Sequence, residues 1–395
     1  MNFWPNPAQE LLLKAALLPG TAAADAFTKW LALADCDRLD EGSYRMLPLL
    51  AHNLDGQGTS DPFLKLCHGV HRHTWVRNQI QLKQARELLQ ALHSEGIGAM
   101  LLKGAALALA YYADPGLRPF EDIDLLVPTV QAQSAFALLK RMGWRPCRVP
   151  LREITREYAA VNHALLMVNE RGVLIDLHWH LLFVSLGPEA DRDFWQAAEQ
   201  RQKKSVPFCI LAPTDQFFHA CVHGYVHQVA WERIPPIRWV ADAMQILAVQ
   251  GKMIDYRRLG GLARQHHLRL ALKLTLNYLH DHFTAALPES FIQEMADWPI
   301  AAWERGEWRS QQKRLGLLGA LPMCWRHFRR LKHGRANGQA PKNFVYYLRH
   351  RYNLHRRELI PYILKKGVEN IIRLSGGRTM GLQRGQENPT SRPAK

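Results

Sequence analysis

Residues 118–127 read Arg-Pro-Phe-Glu-Asp-Ile-Asp-Leu-Leu-Val, and no other segment constrains the fold as much. In an extended chain alternate side chains share a face, so Asp122 and Asp124 point one way and Ile123 the other. Leu125, Leu126 and Val127 then carry the strand into the core. Two carboxylates at alternate positions sit about 7 Å apart along the backbone. Both can reach one divalent cation, and without a cation two like charges that close oppose each other. An Asp-x-Asp pair alone is common at turns and at solvated strand ends; the surroundings of this pair are what give it weight.

Those surroundings include a third acid. Residues 173–180 read Val-Leu-Ile-Asp-Leu-His-Trp-His. Alternation puts Leu174, Asp176, His178 and His180 on one face and Val173, Ile175, Leu177 and Trp179 on the other. A lone carboxylate inside an apolar strand is costly to bury without a partner, and a metal shared with Asp122 and Asp124 is such a partner. Three carboxylates suit two Mg2+ ions and phosphoryl transfer. One ion lowers the pKa of an attacking hydroxyl; the other neutralises the triphosphate of an NTP, such as ATP, and the leaving pyrophosphate.

Upstream, Met100-Leu101-Leu102 ends at Lys103-Gly104, a strand-to-turn signal. Glycine lets a backbone approach a phosphate closely, and the amides of the helix that follows face the anion. Lys103 and Gly104 are therefore nucleotide-binding candidates. Arg118 is placed either to clamp a phosphate or to pair with Glu121 or Asp114. His178 suits orientation of Asp176 or contact with a phosphate, and equally a hydrogen-bonded histidine at a sheet edge. Asp242 follows Arg238 at the spacing of a surface ion pair, with a substrate-facing role as the alternative. His219, His223 and His227 stack at four-residue intervals; helical histidine pairs can bind zinc, but no acid or cysteine follows at ligand spacing, so a packed polar face is favoured.

Around these residues the pattern predicts an α+β protein: a small mixed-sheet core flanked by N- and C-terminal helical regions. Residues 1–95 show helical spacing at Leu11–Leu18, Phe27–Leu33, Tyr44–Leu54 and Ile80–Leu92. Residues 96–210 form the α/β core, with a helix at Ala105–Tyr112, strands at Ile123–Val127, Ala164–Val168 and Val173–Leu177, and a helix at Gln131–Met142 closed by Gly143. Asn169-Glu170-Arg171-Gly172 suits a hairpin. Residues 211–300 return to helix: one from Thr214 or Asp215 to about Val229, one over Ile237–Val249 and one over Leu262–Phe283. Residues 301–375 read as basic, aromatic and mostly helical, and 376–395 as a disordered tail.

The ordered set of motifs resembles the polymerase-β-type nucleotidyltransferase superfamily, and within it the uncharacterised nucleotidyltransferase family of bacteria. The resemblance rests on Lys103-Gly104, Tyr111-Tyr112, Arg118-Pro119, Asp122–Val127 and Asp176–Trp179, extends to Arg238-Trp239-Val240-Ala241-Asp242, and covers roughly residues 10–300. It implies transfer of a nucleoside monophosphate from an NTP to an acceptor hydroxyl, with Asp122, Asp124 and Asp176 as catalytic metal ligands. The superfamily's usual Gly-Ser turn is here Lys103-Gly104-Ala105-Ala106, which lacks the phosphate-binding hydroxyl. That departure keeps a second reading open, a catalytically inactive module that binds nucleotide or polyanion. Toxin-like relatives with a Lys-Gly-Gly turn modify tRNA, so a sugar, a peptide, a protein or an RNA can be the acceptor.

Charge distribution adds a partner class. Residues 301–395 contain 21 Lys+Arg and 5 Asp+Glu, which accounts for the whole net charge of +16, because the first 300 residues balance. Such a segment attracts polyanions. Phe344–Arg357 mixes tyrosines with arginines, which fits stacking on RNA or lying on an anionic membrane. No window is long and apolar enough for a membrane span. The six scattered cysteines include no Cys-x-x-Cys pair, which favours a reducing, cytoplasmic setting. The tail would allow a peripheral position at the inner membrane.

Overall fold

The computed structural model describes residues 4–147, 149–203, 206–227, 237–311, 321–333, 341–355 and 357–365. The predicted tail at 376–395 lies outside them.

Among the described residues, seven strands form one mixed sheet: β1 (Met100–Leu101), β2 (Asp122–Leu126), β3 (Arg145–Pro146), β4 (Ala164–Val168), β5 (Leu174–His178), β6 (Glu199–Lys203) and β7 (Val206–Ile210). Their order is β3-β4-β5-β2-β1-β7-β6. β2 and β5 run parallel, with Asp122 opposite Leu174 and Asp124 opposite Asp176. β1 is antiparallel to β2 and parallel to β7. The β4–β5 hairpin turns at Asn169–Gly172, where the Asn169 side chain accepts from the amides of Arg171 and Val173, and Gly172 takes φ +76°.

Strand alternation sends side chains into two cores. Ile123, Leu125, Val127, Ile175, Leu177 and Trp179 pack with Leu88, Leu92, Phe136 and Leu139. Met100, Leu102 and Leu126, on the opposite face, join the helical regions through Phe217, Phe218, Val240 and Leu276. Fully burying each such side chain contributes roughly 1.5–3 kcal/mol. Consecutive Leu125 and Leu126 thus weld the central strand to both sides.

The N-terminal helices are Pro7–Leu17, Gly20–Leu33, Glu41–Tyr44, Leu47–Asp55 and Pro62–Ser94. Asn6 and Gln9 close a reciprocal capping box on the first. The last has 33 residues where apolar spacing predicts only Ile80–Leu92. Its buried stripe runs through Thr74, Asn78, Gln81 and Gln84, and polar residues at core positions hide the helical period. Asn78 Nδ2 donates to the carbonyls of Pro115 and Arg118, at 2.6 and 2.9 Å, and Gln81 Nε2 donates to that of Glu121 at 2.9 Å. The stripe grips the backbone of the segment leading into β2.

The C-terminal helices include Pro213–His227, Arg238–Gln250, Tyr256–Gln265 and Arg269–Phe283. Leu262–Phe283, expected as one helix, is broken at His266–Leu268, where His267 takes φ +55°. Farther on, Leu321–His333 and Phe344–Tyr352 pack through Phe328, Leu331, Tyr347 and Leu348 against Val161 and Leu186 of the core. Among the described residues, no helix is long and apolar enough to cross a membrane.

Candidate active site

Parallel pairing of β2 with β5 sets Asp124 directly beside Asp176. His178, two residues along β5, lies on the same face and is fully buried. Its Nε2 lies 3.0 Å from Asp124 Oδ1 and 3.1 Å from Asp176 Oδ2. Donor atoms of Asp124, Asp176 and His178 fall within 4.8 Å of one another, and this is the three-donor cluster found among the described residues. The edge-histidine reading of His178 is corrected, because β5 sits between β4 and β2. His180 leaves the shared face, since β5 ends at His178; its Nδ1 meets Asp191 Oδ2 at 2.6 Å.

Lys103, a nucleotide-binding candidate from its turn, supplies a cation to the acids themselves. It opens the helix Lys103–Ala110 with a left-handed φ of +44°, unusual for a residue bearing a Cβ. Strain of this kind concentrates at functional sites. The Nζ lies 2.6 Å from Asp124 Oδ1 and 3.4 Å from His178 Nε2. Gly104 follows, and a Cβ built there would fall 2.3 Å from Phe120 Cβ. This glycine therefore admits Phe120, two residues before Asp122, as well as exposing backbone.

The charges are strongly coupled. Burial alone would raise the Asp124 pKa, but Lys103 and His178 hold it well below the usual carboxylate range. For Asp176, too, burial is outweighed, by His178 and then Lys103, and its pKa is lowered. Burial and the Lys103 charge work against the His178 imidazolium, yet Asp176 and Asp124 lift its pKa to about 9. At Asp122 burial and the neighbouring Asp124 outweigh the pull of Lys103 and His178 and push it up to about 6. Asp122 shares the face of Asp124 but lies outside the three-donor cluster.

Arg118 pairs with neither Glu121 nor Asp114. Its Nε and Nη2 donate to the two oxygens of Asp242, each at 2.7 Å, and Nη1 donates to its own neighbour's carbonyl, Pro119 O, at 2.7 Å. Tyr112 Oη adds a third bond to Asp242 at 2.8 Å. Asp242 is thus a buried clamp between core and helical region, which corrects the expectation of a surface ion pair with Arg238. Sequence spacing favoured the i,i+4 partner; the Arg118 partner lies 124 residues away in the chain.

Of the helical histidines, His219 and His223 make an edge-to-face ring contact at 5.3 Å, and neither belongs to the three-donor cluster; the side chain of His227 lies outside the described residues. In the basic segment, Tyr347 is buried, and Arg351 lies over the Phe183 ring while Nη1 donates to Asn162 Oδ1 at 2.8 Å. Part of the aromatic–basic stretch thus packs on the protein itself.

Residues 43–284 match the model of a family described as uncharacterised nucleotidyltransferase. No curated protein matches the chain. Among solved structures, the chain is similar to an antigenic nucleotidyltransferase-like protein from Paracoccidioides brasiliensis, with 16% identity and a TM-score of 0.34 over 54% of this chain and 97% of that one. It is also similar to the antibiotic-resistance factor ANT(2'')-Ia, with 14% identity and a TM-score of 0.29 over 48% of this chain and 98% of that one.

Proposed function

Because the chain belongs to the uncharacterised nucleotidyltransferase family, we propose that it transfers a nucleoside monophosphate from an NTP to an acceptor hydroxyl at the Asp124–Asp176–His178 cluster. The observation that carries this reading is the convergence of two strand carboxylates and an imidazole within 4.8 Å, with Lys103 beside them. The donor set fits a divalent cation. Carboxylate oxygens suit Mg2+, and paired buried acids call for positive charge. Asp124 and Asp176 would hold it, with Asp122 joining from the same strand face. Bound there, two Mg2+ ions would supply Lewis acidity toward the acceptor oxygen and charge neutralisation at the triphosphate.

In the reaction, the acceptor oxygen bonds to the α-phosphorus, the bond to pyrophosphate breaks, and the acceptor proton passes through its hydrogen bond with Asp176 to solvent. Asp176, held ionised by His178 and Lys103, accepts the hydrogen bond of the acceptor O–H and orients it. His178 fixes both carboxylates through one nitrogen. Lys103 Nζ, the cation paired with Asp124, is assigned a phosphate oxygen of the NTP. Gly104 brings the turn's backbone close to that phosphate. Arg118, held by Asp242, braces the loop that delivers Asp122.

The test is NTP-dependent pyrophosphate release with and without Mg2+, in the presence of cell extract as the acceptor source. Wild type should release pyrophosphate. Asp124→Asn and Asp176→Asn should lose at least about 100-fold, a loss in the range of removed electrostatic stabilisation, with circular dichroism checking that each variant is folded at the assay temperature. Full activity of Asp124→Asn would overturn the assignment. A second reading, a nucleotide-binding module without turnover, is favoured by the packing of Gly104 against Phe120 and the missing turn hydroxyl. It predicts NTP binding with no pyrophosphate from wild type.

A further inference from the structure

Two guanidinium groups converge on one carbonyl oxygen at the entrance to β2. Arg118 Nη1 and Arg238 Nη1 both donate to Pro119 O, at 2.7 and 2.9 Å. One carboxylate serves this pair, and it belongs to Arg118: both Asp242 oxygens are taken by Arg118 Nε and Nη2. The third arginine nearby, Arg45, is paired with Glu41 and Glu121. Among the described residues, Arg238 forms no ion pair. It is half-buried, and it occupies the first residue of the helix Arg238–Gln250, where the helix dipole disfavours a cation. Burial together with the Arg118 and Arg45 charges lowers its pKa to about 10.

Asp242 and Glu121 offset part of this, but Arg118 and Arg45 hold both carboxylates, and a partly desolvated arginine beside two other guanidinium groups favours a further anion. Arg238 uses one donor, Nη1, on Pro119 O, which Arg118 Nη1 already holds, so the brace on the loop engages only part of its guanidinium. Its anchor, Pro119, lies three residues before Asp122 on the segment that positions the acids. The remaining guanidinium donors have the planar fork that matches phosphoryl oxygens.

We propose that Arg238 binds a phosphoryl group of the NTP's β,γ-phosphates, as a second cation beside Lys103. This assignment rests on the nucleotidyltransferase reading and adds a residue that binds substrate without touching the reacting acids. Lys103 then faces the phosphate next to the metal-binding acids, and Arg238 takes the far end of the chain of phosphates.

The experiment is calorimetric titration of the full-length protein with ATP, AMP and inorganic tripolyphosphate, on wild type, Arg238→Gln and Arg238→Lys, with melting temperatures recorded for each. Loss of one charge-assisted contact predicts affinity for ATP and tripolyphosphate lower by about 10-fold or more in Arg238→Gln, with AMP changed less than about 2-fold. Arg238→Lys should recover part of the loss, which a purely structural role would not produce. Equal ATP affinity in wild type and Arg238→Gln overturns the assignment and leaves the nucleotidyltransferase reading standing. A loss that is equal for AMP and ATP also overturns it, because the contact would then lie at the α-phosphate, base or sugar, or at an acceptor-side anion. Absence of ATP binding by wild type overturns both readings.

Discussion

At the residue scale, the site is a balance of charges, and Asp122 is where the balance is least favourable. Its pKa rises from the usual carboxylate range to about 6 through burial and Asp124. The folded state thus holds the Asp122 proton more tightly than the unfolded chain. Its contribution to stability is present at low pH and is lost as pH climbs from about 4 through about 6. Asp122→Asn should therefore raise the melting temperature of metal-free protein at pH 7.5 by about 2 °C or more, and the gain should shrink as pH falls from 6 to 4. Calorimetric scans in EDTA across that range check this; a variant less stable at pH 7.5 would contradict the assigned electrostatics. Gly104 makes a separate prediction. With a Cβ position 2.3 Å from Phe120 Cβ, Gly104→Ala should destabilise by about 1–3 kcal/mol in denaturant titrations. A neutral Gly104→Ala would show that Phe120 moves freely.

At the scale of elements, legibility followed periodicity. β2, β4 and β5 are apolar or alternating, and their positions were readable, as was the pairing of acids on one strand face. Registers across strands were not: Asp124 meets Asp176 because β2 and β5 are parallel neighbours, a fact that no local pattern encodes. β6 is Glu-Gln-Arg-Gln-Lys, a polar edge strand that reads as loop. Lys103 was legible as part of a turn, but its ion pair with Asp124 depends on that register and on a left-handed backbone. The long helix Pro62–Ser94 was half hidden because Asn78 and Gln81 replace apolar residues on its buried stripe. These amides hold the loop that aims Asp122. Asn78→Ala removes two bonds to carbonyls and should cost about 1–3 kcal/mol in urea unfolding. It should also reduce pyrophosphate release and weaken metal binding, because Asp122 is aimed by that loop; unaltered stability would show that the loop holds itself.

At the scale of the whole molecule, one sheet separates two cores, and the acids open on the face toward the helical region. The family match ends at residue 284, before the segment that carries the entire positive excess. Part of that segment is committed to packing: Tyr347 is buried and Arg351 is held by Phe183 and Asn162. The remaining arginines and lysines are proposed to attract a polyanion, either RNA or an anionic membrane surface. Binding through released counterions must weaken steeply with salt. Full-length protein should bind tRNA or phosphatidylserine vesicles with an affinity that falls at least about 10-fold between 50 and 200 mM salt. Binding that ignores salt would make the tail a solvated surface. Which of the two surfaces binds separates an RNA acceptor from a membrane-associated one.

The central claim, transfer of a nucleoside monophosphate at the Asp124–Asp176–His178 cluster, is tested most directly by following the label of the donor. Wild type and Asp124→Asn are incubated with Mg2+, cell extract and either α- or γ-phosphate-labelled NTP. The predicted result is α-label transferred to an acceptor by wild type, no transfer of γ-label, and neither by Asp124→Asn. Transfer of γ-label, or equal α-transfer by Asp124→Asn, would contradict it.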